Sequence, residues 1–153
     1  MVAFVPASRD VLSALVAAPI PGPVAAFGVT PGLCETFSLP PAADEEAERT
    51  ALLMAGLSSL ISYGSRLVLV VEATPTDDEG GRGECTVGDV AWRDVSAIFA
   101  EPSEAEQAAA AAVAAVHGLD LDAAWDAEPV QALMSEHDLL WYGPEEIGTL
   151  VGG

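Results

Sequence analysis

With 153 residues, the chain is long enough to fold as one domain around a hydrophobic core that needs neither disulfides nor metals. Its 24 acidic residues stand against five arginines and no lysine, which gives a formal net charge of −19. Such a charge repels the phosphates of nucleic acids and of anionic membranes, and it disfavours both as direct partners. It suits a protein partner with a basic surface, and it also keeps a protein soluble without any partner.

The apolar and cysteine content indicates a compact protein without a disulfide framework. Hydrophobic residues form 51% of the chain and aromatic residues 6%, which is typical of an aliphatic core. Cys34 and Cys85 lie far apart and lack the spacing of a zinc site, so we expect free thiols, with a single disulfide as the alternative. No signal peptide is predicted, and prolines and glycines interrupt the uncharged segment from Val11 to Cys34. We therefore expect a cytoplasmic protein.

The first half of the chain alternates between strand and helix patterns. Short apolar runs bounded by turn residues predict three buried strands, the third of which should be central because it is continuous and rich in β-branched residues. These strands cover residues 2–5, 24–29 and 67–71. Ser8 is placed to cap the helix between the first two strands. A long helix should begin near Asp44, among acidic residues, and end at Gly64.

The second half of the chain is mainly helical. An acidic, glycine-rich loop is predicted over residues 74–84, and residues 87–99 have strand character with a bend near Arg93. Ser103 and Glu106 have the spacing of a capping box in front of an alanine-rich helix. Short helices and one short apolar stretch then follow.

The order of elements is β-α-β-α-β-β followed by helices. It predicts an α/β (α+β) fold in which helices cover a mixed sheet of about four to five strands. No internal repeat and no linker divides the chain, so we expect a single domain over residues 1–153.

Three residues are weak candidates for catalysis. Cys34 follows a Pro-Gly turn close to a helix start, where a thiolate would be stabilised, and His117 or His137 could serve as its base. No local motif joins the three residues. A buried or incidental thiol is the ordinary interpretation of such a cysteine, so no catalytic residue is predicted.

No sequence motif supports a metal or cofactor site. His117 and His137 each have carboxylates nearby, but neither belongs to a helical pair of histidines, and capping and surface roles explain their positions. The acidic segment 77–79 lacks the alternating oxygen ligands of a calcium loop. The glycines form no phosphate-binding motif. The sequence therefore predicts no metal and no cofactor.

Trp141 and Tyr142 are the candidates for an interaction site. Neighbouring aromatic residues with a polar edge are frequent at protein interfaces. The alternative is a C-terminal tail that packs onto its own domain.

Three segments carry a resemblance to a known family. They are the opening Val-Ala-Phe-Val-Pro-Ala, the Ala-Phe-Gly-Val-Thr-Pro at 26–31, and the Leu-Leu-Trp-Tyr-Gly-Pro-Glu-Glu-Ile at 139–147. They resemble an N-terminal "VYVPAT"-like strand, an "AFAVTP"-like strand and a C-terminal "WY" segment in a family of small actinobacterial proteins of unknown function. The resemblance implies no activity and no site residues. Where many members have a basic residue after Thr-Pro, this chain has Leu33, Cys34 and Glu35, which speaks against a positive site there.

These observations favour a non-enzymatic protein-interaction or regulatory module that acts through its acidic surface on a basic protein partner. The alternative is a small enzyme or a small-molecule-binding protein of another mechanism. Either a monomer or a homodimer fits the sequence.

Overall fold

An open sheet of six strands forms the centre of the fold. The structure, a computed structural model, describes residues 2–40, 44–75 and 81–151. The strands are β1 (Val2–Pro6), β2 (Val24–Phe27), β3 (Leu67–Glu72), β4 (Glu84–Val87), β5 (Val95–Ala100) and β6 (Leu140–Tyr142). Their order is β4-β2-β1-β3-β5-β6, and every neighbouring pair among the described residues is antiparallel.

Helices cover both faces of this sheet. They are α1 (Arg9–Ala17), α2 (Pro31–Thr36), α3 (Asp44–Tyr63), α4 (Glu106–Val116), α5 (Leu121–Asp126), α6 (Glu128–Glu136) and α7 (Ile147–Val151). Helices α1 and α7 pack on one face through Leu12 and Leu150, whereas α2 and α3 pack on the other through Leu33 and Met54. Helices α4, α5 and α6 lie against another side of α3, where Leu57 contributes to their shared core.

Strand β3 is buried on both of its faces. Its side chains alternate, so that Leu69 and Val71 contact the α1 side of the sheet and Val68 and Val70 contact the α3 side. All the residues of 67–71 are buried because helices lie on both sides. The uncharged run correctly predicted a central strand, and β3 pairs with β1 and β5.

The predicted α/β class is confirmed, but the sheet differs from the expected one in two details. It has six strands rather than four to five, and its described pairings are antiparallel where a mixed sheet was expected. Strands buried on both faces are typical of parallel sheets, yet helices here cover both faces of an antiparallel one. The extra strand arises because 87–99 is not one bent strand: β4 ends at Val87 and β5 begins at Val95, and other strands separate them.

Most predicted helix ends are confirmed. The N–H of Val11 donates to Ser8 Oγ at 3.1 Å, and Gly64 follows α3 with a φ of 85°. The capping box predicted at Ser103 is wrong. Residues Ser103–Ala105 form a short 3-10 turn instead, and its first residue is preceded by Pro102, which offers no capping side chain.

The acidic loop and the membrane-crossing potential of the helices are two further points of the sequence prediction. The acidic residues 77–79, at the middle of the predicted loop, lie outside the described residues. Within the described ranges, none of the helices is both long enough and apolar enough to cross a membrane.

Candidate functional site

The face of the sheet that packs against α3 carries an apolar row that ends at an exposed tryptophan. Cross-strand pairing places Phe4 opposite Val70 and Val70 opposite Ala97. One step along the strands, Phe99 of β5 lies opposite Trp141 of β6. Residues directly opposite each other share a face, so Trp141 lies on the α3 side of the sheet beside Phe99. Its exposed fraction is 58%.

A groove lies between this row and the first turns of α3. It has a volume of about 370 Å³, and a second cleft of about 170 Å³ shares Arg49, Leu52 and Phe99 with it. The floor is formed by apolar strand residues and the wall by charged residues of α3. We call the two joined clefts the α3 groove; its first part is lined by Val2, Phe4, Glu45, Glu48, Arg49, Leu52, Val70, Ala97 and Phe99.

The rim of the α3 groove is mainly acidic. Glu45 and Glu48 are exposed on the wall, and Asp138 lines the second cleft. Arg49 lies 4.0 Å from Asp138, with 71% and 84% of the two side chains exposed. An ion pair so long and so exposed contributes little to stability. The carboxylates of this rim are therefore open to a cationic group from outside.

A buried ion pair fixes the segment that leads into β6. Arg66 is 2% exposed; its Nε donates to Glu101 Oε2 at 2.8 Å, and its Nη2 contacts the same oxygen. Nη2 also donates to the carbonyl oxygen of His137 at 2.8 Å. Because His137 ends α6 just before β6, this bond helps to set the position of Trp141. Sequence reasoning missed Arg66, whose only local signal is its place directly before a buried strand.

The two aromatic candidates lie on opposite faces of the sheet. Trp141 is on the α3 side, whereas Tyr142 is half-buried and packs against the core on the α1 side. Leu140, 45% exposed, shares that other face. Adjacent strand residues alternate between faces, so the pair does not form one surface. Its role in an interaction remains a prediction, and Trp141 is the more exposed residue of the two.

The three weak catalytic candidates are not brought together. Cys34 is half-buried in α2, His117 is the exposed residue that ends α4, and His137 ends α6. In the described part of the chain, no hydrogen bond or ion pair joins any two of them, and none lines either part of the α3 groove. Cys34 and Cys85 form no disulfide.

The side-chain types that commonly bind metals do not cluster in the described part of the fold. Among the residues that the structure describes, no group of three or more His, Cys, Asp and Glu side chains is arranged to hold a metal ion.

The fold and the site define a class of protein: an acidic α/β protein with helices on both faces of an antiparallel sheet and an apolar groove with a carboxylate rim. Over residues 1–151 the chain matches the model of a family of unknown function, DUF6912, and it belongs to that family. No curated protein and no solved structure matches it. The predicted resemblance to a family of unknown function is confirmed, while the actinobacterial setting remains a prediction.

Proposed function

We propose that this protein is a non-enzymatic interaction module that binds a basic, partly apolar segment of a partner protein in the α3 groove. The observation that carries the proposal is the exposure of Trp141 beside Phe99, next to a rim of carboxylates. The proposal places this encounter in the cytoplasm, where cysteines that form no disulfide stay reduced.

The exposed ring of Trp141 supports binding of the apolar part of the partner segment. Tryptophan is enriched among the residues that dominate protein–protein binding energy, because its large ring is buried when the partner docks. Here the ring continues an apolar row that runs under α3, and Leu52 and Phe99 are half-buried at the edge of the groove. An apolar side chain of a partner would find contacts on Trp141, Leu52 and Phe99.

The charge distribution of the protein supports recognition of a basic partner. Glu45 and Glu48 flank the groove, and the whole chain carries a net charge of −19. A field of this sign accelerates the approach of a cationic partner and repels an anionic one. A second copy of this chain brings the same negative charge to the interface, so the proposal favours a different, basic protein over a homodimer.

Selection from a random peptide display library tests the proposal. We expect enriched peptides to combine Lys or Arg with aromatic or aliphatic residues, and their affinity to fall as NaCl is raised, because exposed charges are screened over about 10 Å at 0.1 M salt. Failure to enrich such peptides would refute the proposal.

Matched variants locate the binding surface. Trp141→Ser should lose binding, whereas Leu140→Ser, an adjacent and similarly exposed position on the opposite face, should retain it. The double variant Glu45→Lys and Glu48→Lys should also lose binding. The same charge change at Glu128 and Glu136, which are exposed on α6, is the control. Equal loss in both double variants would mean that net charge alone acts, without the α3 groove.

A further inference from the structure

A second cleft lies where two neighbouring strands of the sheet part. β1 and β2 pair only through Phe4 and Phe27. Two residues further along each strand, Pro6 and Ala25 are not paired with each other, and both line a cleft of about 390 Å³. Proline has no N–H to donate, so the pair of hydrogen bonds expected at this position of the ladder is incomplete. We call this space the β1–β2 cleft.

The β1–β2 cleft reaches both helical layers. Val11 and Ala14 of α1 line it from one face of the sheet, and Ser58, Ser62 and Tyr63 of α3 line it from the other. The opening between the strands therefore lets one cleft touch both layers. Its volume falls within the range of about 300–1,000 Å³ that is usual for small-molecule sites.

Backbone polar groups of both strands are directed into this cleft. Ala7 N–H donates to Leu67 of the β3 side, and Gly28 N–H donates to Gly83 of the β4 side. Because the bonding direction alternates along an antiparallel strand, the carbonyl of Pro6 is directed toward β2. By the same alternation, the N–H and carbonyl of Ala25 are directed toward β1. The Ala25 carbonyl faces Pro6, which has no N–H to pair with it, so a ligand would find an acceptor there beside an apolar wall.

The lining of the β1–β2 cleft differs chemically from that of the other clefts described. Its walls are aliphatic, with hydroxyl groups on the α3 side, and no lining residue carries a formal charge at neutral pH. The two parts of the α3 groove, and a cleft beside Glu101 and Glu106, each include both arginine and carboxylate side chains. A charged ligand would lose its hydration in the β1–β2 cleft without gaining a counter-charge.

We propose that the β1–β2 cleft binds a neutral, mainly apolar small molecule that carries a hydrogen-bonding group. The apolar body contacts Val11 and Val24, and the polar group meets the hydroxyl of Ser62 or Tyr63. The net charge of −19 further disfavours anions. This site is separate from the α3 groove, with which it shares no lining residue.

A panel of neutral alcohols and amides on aromatic and aliphatic rings, each with its carboxylate and ammonium analogue, tests the proposal by amide NMR. We expect saturable shifts at the amides of Ser58, Ser62 and Ala25 for neutral members, and affinities lower by about tenfold or more for the charged analogues. No saturable neutral binder, shifts centred elsewhere, or tighter binding of charged analogues would overturn it.

Two kinds of variant make the assignment specific. Ala14→Phe fills the cleft from an exposed position of α1 and should weaken binding by at least about tenfold. Ala17→Phe adds the same ring to the same helix outside the lining and should leave binding unchanged.

Tyr63→Phe and Ser62→Ala remove hydroxyls with little risk to folding, and at least one should weaken binding by about two- to tenfold. Undiminished binding in Ala14→Phe, or in both hydroxyl variants, would place the ligand elsewhere. Peptide binding to the α3 groove is scored separately, so either proposal can fail alone.

Discussion

The guanidinium of Arg66 meets the carboxylate of Glu101 in the interior of the protein, where the side chains are 2% and 11% exposed. The backbone repeats this contact, because the N–H of Glu101 donates to the carbonyl of Arg66 at 2.9 Å. The same guanidinium reaches the carbonyl of His137. One side chain thus connects the start of β3, the end of β5 and the segment before β6.

Arg66→Met should destabilise the protein strongly. Removing one partner of a buried pair leaves the other charge unpaired, which costs about 3–5 kcal/mol. Chemical denaturation measures the free energy of unfolding directly. The control is Arg49→Met, because the Arg49–Asp138 pair is 4.0 Å long and mostly exposed, and its loss should cost less than about 1 kcal/mol.

The same substitution should loosen β6 before the rest of the sheet. Without Arg66, the carbonyl of His137, just before β6, loses its hydrogen-bond donor. Among the described strands, β6 pairs only with β5, so this pairing alone then holds it in the sheet. Hydrogen exchange of the β6 amides should accelerate more than that of β3. Uniform acceleration across the sheet would show that Arg66 supports the core and has no special effect on β6.

Ser59→Ala should be costly for its size. Ser59 is fully buried in α3, and its Oγ lies 2.7 Å from the carbonyl oxygen of Ala7 and 2.8 Å from that of Ser65. It also accepts from the N–H of Leu67 at 3.1 Å. Removing the hydroxyl leaves these buried groups unsatisfied, at a cost of about 1–3 kcal/mol. Ser135→Ala, at an exposed position of α6, is the control and should stay within about 0.5 kcal/mol. Equal effects would contradict the assigned role.

Local patterns predicted the local parts of this fold. Ser8 caps α1 and Gly64 ends α3 because each depends only on residues within a turn or two. The pairing of Phe99 with Trp141 and the contact of Arg66 with Glu101 join distant segments, and no periodicity signals them. Both clefts arise from such long-range pairings, so the sequence indicated Trp141 as a candidate without its surroundings.

Gly64→Ala should destabilise the protein through the backbone alone. Gly64 has a φ of 85°, which L side chains rarely adopt, and a Cβ added there meets no atom within 4 Å. The expected cost is about 1 kcal/mol.

A Cβ at Gly88 also meets nothing within 4 Å, but its φ is not in the left-handed region. Gly88→Ala should therefore be neutral or slightly stabilising. Thermal denaturation of both variants separates conformational strain from the general effect of replacing glycine by alanine; a similar cost in both would argue against strain at Gly64.

The two cysteines should react with alkylating reagents at different rates. Cys34 is half-buried in a six-residue helix, whereas Cys85 is buried within β4. A reagent reaches Cys34 through local motion but reaches Cys85 only when the sheet opens, and such larger openings are rarer. We expect iodoacetamide and mass spectrometry to give a singly labelled species first, modified at Cys34. Denaturant should then equalise the rates.

Cys34→Ser provides the control, because its native form should label slowly. Fast labelling of Cys85 in that variant would show that the β4 edge of the sheet opens readily.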